Sequence, residues 1–224
     1  MTSTAATPTT TARATGWGWA GIVAGLAAGA SGAILAQGPG TFGDQEVKSG
    51  EFIVGAMNPE LLIRLGGGLG MVAVVATTVF TLGLARRAAE TAPGRTGWVE
   101  ALRWSSIALL ATTAVGVLMR YVAAGGAPGA MDQSMYTTEA SATAAVLADQ
   151  MSTGTYLPAL GVMTAAGVLS LRGALLPKAV GIVALVLAGA SLVATLAIGL
   201  PYSSSLVFPL FAPVAGIAAL VRRG

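Results

Sequence analysis

Neither cysteine nor histidine occurs anywhere in the 224 residues. Without thiols the chain has no disulfide and no thiolate nucleophile. Without imidazole it has no histidine-ligated haem or copper and no His-based catalytic triad, and with both missing it has no zinc site of the usual kinds. Charge is the next scarcity, at 9% of residues against about 25% in an ordinary soluble domain. A chain so composed has too little polar surface to cover a water-soluble globule. No cofactor or metal is expected, and the expected partners are the lipid bilayer and another membrane protein or a second copy of the chain, not nucleic acid.

What the sequence does have is apolar residues, 54% of the total, gathered in long uncharged blocks. About 20 such residues in a helix cross the hydrocarbon core of a bilayer. The expected fold is all-α, a polytopic bundle of six transmembrane helices over residues 16–224, preceded by a disordered cytoplasmic Thr/Ala tail over 1–15. The spans fall at about 17–36, 61–85, 104–124, 155–171, 179–200 and 206–221. A cleaved signal peptide is the competing reading of the first span, because Ala36 follows an apolar run; the length of that run and an n-region holding Arg13 alone speak against it. Asn58, Pro59 and Glu60 form a helix-start signal ahead of the second span, which is expected to stop at Arg86 and Arg87. Trp98 and Trp104 sit where an interfacial aromatic belt is expected. Within the long loop 125–150, the Ala-rich stretch Thr138 to Ala148 has the composition to form a short helix on the membrane surface, and the sequence leaves open whether it does.

Orientation follows from basic residues. With both termini inside, one side carries Arg13, Arg86, Arg87, Arg95, Arg103, Arg172, Lys178, Arg222 and Arg223, and the other Lys48, Arg64 and Arg120. This asymmetry is the positive-inside signature of an N-in/C-in protein. The acids fall the other way, with Glu90 and Glu100 alone on the inner side. The expected location is a bacterial inner membrane.

Gly21, Gly25 and Gly29 recur every four residues along the first span, and Ala33 continues the row. Such a face lets a neighbouring backbone approach closely, which is what holds helices together in lipid; its partner is another span of this chain or a second copy. Gly66, Gly67, Gly68 and Gly70 thin the second span in the same way. Arg64 and Arg120 are the charges that fall inside spans, both near the outer ends. A charge there is costly and marks a candidate ligand site; snorkelling, or an intrahelical pair of Arg64 with Glu60, is the structural alternative. If the two arginines meet, one of Glu60, Asp132, Glu139 or Asp149 is expected beside them, or else a bound anion.

No catalytic constellation emerges. Gly43-Asp44 has no partner aspartate in another span, Lys48-Ser49 are mere sequence neighbours, and no span has a central acid of the kind a proton-coupled pump uses. Thr77, Thr78, Ser105, Ser106, Thr112 and Thr113 are of the type that bonds to its own helix backbone.

Ser170 to Val186, with Arg172 closing one span and Pro177, Lys178 and Gly181 opening the next, resembles a hairpin that recurs in bacterial six-helix integral membrane proteins classed as domains of unknown function. Arg120 is similarly placed in them. The resemblance implies a membrane fold and no known activity, and the Ala, Gly and Val bias points to an actinobacterial type of source. The function expected is an interaction, accessory-subunit or regulatory role without catalysis. The alternative is a carrier or sensor for a small anionic or lipid-like ligand in an outward pocket near Arg64 and Arg120.

Overall fold

The computed structural model describes residues 16–35, 59–123, 138–173, 175–199 and 203–221. The tail over 1–15, the 37–58 segment and the opening of the 125–150 loop lie outside them. Among the described residues the chain is helical throughout, with α1 (Gly16–Leu35), α2 (Pro59–Thr91), α3 (Thr96–Ala123), α4 (Thr138–Gly173), α5 (Lys178–Ile198) and α6 (Ser203–Val221).

Five of these helices contain stretches long and apolar enough to cross a membrane: Gly16–Leu35, Arg64–Thr91, Thr96–Val122, Thr153–Gly173 and Lys178–Ile198. The chain is thus a multi-pass membrane protein by helix length and composition. The apolar stretch of α6 is shorter, Leu206–Val221, about 24 Å at the helical rise.

Three boundaries differ from the expected ones, each for a local reason. Arg86 and Arg87 do not end α2, because Glu90 one turn on accepts both, at 3.5 Å and 3.4 Å, and the helix runs to Thr91. Past the turn at Pro93 and Gly94, α3 starts at Thr96, ahead of the apolar block, so both Trp98 and Trp104 lie on the helix and are exposed. The 138–148 stretch is not a separate surface helix but the opening of α4, a single helix of 36 residues. No Gly or Pro interrupts the chain between Thr138 and Gly154, so nothing stops helix propagation there.

The helices form an up-and-down ring in which each packs on its sequence neighbour and α6 closes back on α1. One end carries the α2–α3 and α4–α5 turns with Arg86, Arg87, Arg95, Arg103, Arg172 and Lys178; we refer to it as the basic end. Contacts between α4 and α6 also cross the ring, which makes α4 the most enclosed span, with 56% of its apolar window buried, against 17% for α3 and 22% for α5. Phe80, Leu84, Leu102, Met163, Leu169 and Phe211 are almost wholly buried and join one core. Trp17, Phe80, Phe211 and Phe208 run through it as a chain of rings with centroids 6.1 to 6.3 Å apart, within the range of favourable aromatic contact. At the far end of α5, Gly199 adopts φ +66° and its N–H bonds back to the carbonyls of Ala194 and Thr195, a left-handed cap suited to glycine.

Candidate functional site

The thin face of α1 meets α6. A Cβ on Gly21 would lie 2.7 Å from the Ala212 carbonyl oxygen and 2.7 Å from Phe80, and one on Gly25 would strike the Pro209 carbonyl oxygen and the Pro213 ring. Gly216 in turn packs on the backbone of Gly18. Gly29 does not share this contact: it is exposed and has nothing within 4 Å of a Cβ position. Each four-residue step turns about 40° past a full circle, so the row that starts against α6 has rotated off it by Gly29. Ala33 is exposed too. Ser31 takes over the buried side, donating from Oγ to the Gly66 carbonyl at 2.7 Å and so tying α1 to α2.

Around Ser31 the ends of α1, α2 and α3 converge. Gly66 packs on Ile34 and Leu35, Gly67 on the Tyr121 ring, and Gly70 on Val117 and the Ser31 hydroxyl. Because Gly67 touches Tyr121 and Gly70 touches Val117, Arg64 and Arg120 lie near one end of neighbouring antiparallel helices, with Arg64 about one turn further out. Arg64 is exposed. Arg120 is half-buried, with Nη1 4.0 Å from the Cβ position of Gly32 in the last turns of α1. Arg120 also sits in the last turn of its own helix. The carbonyl ends of two helices therefore surround this guanidinium, and both dipoles favour a cation there. The side chains of Glu60, Asp132, Glu139 and Asp149 lie outside the described residues; among the described residues Arg120 has no carboxylate within ion-pair distance.

A second feature, at the basic end, did not stand out in the sequence. A groove of about 1140 Å³ opens between the α4–α5 turn and the last turns of α6, bordered by Arg172, Lys178, Val214, Ile217 and Val221, with Thr91 of α2 beside them. The hairpin Ser170 to Val186 builds one wall of this groove. Its helices meet through Gly167 and Gly181, where a Cβ on Gly181 would lie 2.8 Å from Ser170 Cβ and 3.1 Å from the Gly167 carbonyl oxygen. Leu175 and Leu176 pin the turn into the core. Basic residues followed by Pro177 mark the hairpin in the sequence; the part played by α6 has no local signal.

At the other end, Ser204 Oγ donates to the Tyr156 carbonyl at 2.6 Å and Ser203 Oγ to the Ser191 carbonyl at 3.1 Å. These bonds fasten the start of α6 to α4 and α5. The Ser and Thr expected to bond within their own helices include Thr78, Ser106 and Thr112, which donate to Val74, Leu102 and Ala108. Among the described residues no cluster of His, Cys, Asp or Glu fit to hold a metal ion occurs.

No family model matches the chain, and neither a curated protein nor a solved structure matches it.

Proposed function

We propose that the chain is a six-span protein of a bacterial inner membrane, with both termini in the cytoplasm, kin to the six-helix families of unknown function. It acts by association, as an accessory subunit or membrane-embedded regulator, and not by catalysis. The observation that carries this reading is the uneven burial of the spans. α5 buries 22% of its apolar window and presents a stripe of Ile182, Val186, Gly189, Val193 and Leu196 to its surroundings, its four large members 53% to 78% exposed and Gly189 open beyond its Cβ position. Steps of four and three along a helix are the spacing by which a second helix docks, and a glycine within the row permits close approach in lipid.

The test is purification of the tagged full chain in mild detergent with mass spectrometry of what accompanies it. A stoichiometric second membrane protein, or a second copy, is expected with the wild type and not with Gly189→Trp, while helical content and melting stay the same. A chain that purifies alone and monomeric in both forms overturns the association reading. A second reading, a carrier or sensor for a small anionic or lipid-like ligand, is favoured by Arg64 and Arg120 standing within about one turn of each other near one end of neighbouring helices. Protection of the chain against thermal unfolding by an added anion, lost in Arg120→Gln, would support it.

A further inference from the structure

We propose that the groove at the basic end holds an anionic phospholipid drawn from the leaflet at that end. Its phosphodiester headgroup lies between Arg172 and Lys178, and an acyl chain runs along Val214, Ile217 and Val221 of α6. The inference rests on the chain spanning a membrane and not on the association reading above.

Two cations at one rim need a counter-charge, and the protein supplies none among the described residues. Arg172 and Lys178 have no carboxylate partner there, and Glu90, next to the groove residue Thr91, is already held by Arg86 and Arg87. Both cations are fixed at helix ends, Arg172 in the last turn of α4 and Lys178 as the first residue of α5. The buried Leu175 and Leu176 hold the turn between them in place. Pro177 caps α5 without a side-chain hydrogen bond, so the first amides of that helix add a positive end to the same rim. In the sequence Arg222 and Arg223 follow directly after Val221.

The walls select an amphiphile over a bare anion. Leu171, Ile217 and Val221 line the groove and are 37%, 50% and 73% exposed, so the groove is open sideways, the direction in which a membrane-spanning bundle meets lipid. Its volume of about 1140 Å³ slightly exceeds the roughly 300–1,000 Å³ of drug-sized pockets, far more room than one phosphate needs. Arginine meets phosphate oxygens through two parallel N–H bonds and lysine as a mobile point charge. Basic pockets between membrane helices are a recurring place for anionic headgroups.

The full chain in phosphatidylcholine nanodiscs doped with phosphatidylglycerol, released into detergent and read by native mass spectrometry, tests this. The wild type should retain one phosphatidylglycerol. The double variant Arg172→Gln, Lys178→Gln should retain about thirtyfold less, as expected for the loss of two basic contacts near a headgroup. Ile217→Trp, which fills the groove and leaves both cations, should lose it too, whereas Arg103→Gln, at an exposed cation beside Glu100, should match the wild type. All these side chains are at least half exposed or lie at helix ends, so folding is kept, and melting curves check it. Equal retention by wild type and double variant overturns the proposal. So does undiminished retention in Ile217→Trp, or displacement of the lipid by millimolar inorganic phosphate, which would assign the cations to a free anion.

Discussion

Pro213 has no N–H, so the Pro209 carbonyl loses its usual partner one turn ahead in α6, and it is this carbonyl that lies under Gly25. A glycine there places a Cα hydrogen, a weak donor, where any other residue places its Cβ. Gly25→Ala is therefore expected to destabilise the bundle by about 1–3 kcal/mol, the usual cost of overpacking. Gly29→Ala, with open space around it, should be neutral or stabilise by up to about 1 kcal/mol through helix propensity. Thermal unfolding of the two variants side by side in one detergent decides; equal losses would mean that the α1–α6 contact is not as close as described. The spacing of four in the sequence identifies which helix is thin, but it cannot say where the row leaves its neighbour, since that depends on the crossing of α1 over α6. For the same reason the packing of Pro209 and Pro213 on α1 emerges in three dimensions alone. Arg64 and Arg120 were legible as charges out of place. The helix ends that surround Arg120 were not, because helix-dipole compensation comes from a neighbouring backbone and leaves no side-chain signature.

Among the elements, the apolar blocks were legible because a membrane span must be long and nearly uncharged, whereas the helix ends were not, because a helix continues past the apolar block wherever its residues permit. α4 is the clearest case. At 36 residues it measures about 54 Å, well beyond a hydrocarbon core of about 30 Å, and the turns ahead of its apolar stretch, which starts at Thr153, form a projection beyond that core. Val146 and Leu147 in that projection are 53% and 44% exposed, so neither side chain anchors it in the core. Breaking it should cost helix and not bundle. Val146→Pro is expected to lower the helical circular-dichroism signal while the melting temperature of the bundle changes little. Met163→Ala, one turn from Ala159 in the enclosed part of α4 and fully buried, should cost about 2–5 kcal/mol by leaving a cavity. If Val146→Pro instead melts the bundle as Met163→Ala does, the projection is part of the core.

For the whole molecule, the ring of helices bears on how many times the chain crosses. α6 is short, yet it starts beside Tyr156 and Ser191 and ends with Gly216 against Gly18, so it runs antiparallel to α1 over most of the same depth. A helix that traverses the bundle alongside a span supports the proposed count of six, and an even count returns the two termini to one side. The basic residues favour the cytoplasm for that side, because they gather at the end holding the α2–α3 and α4–α5 turns, and translocating such clusters is unfavourable. The native chain has no cysteine, so a single introduced thiol reports its own location. With an impermeant thiol reagent on intact spheroplasts, Ser134→Cys, in the segment between α3 and α4, should be labelled. Thr96→Cys, at the exposed start of α3, should be labelled after permeabilisation and not before. The reverse pattern would invert the orientation and place the basic end outside. Labelling of both sites in intact spheroplasts would leave an odd number of crossings between them unsupported and would undo the six-span ring.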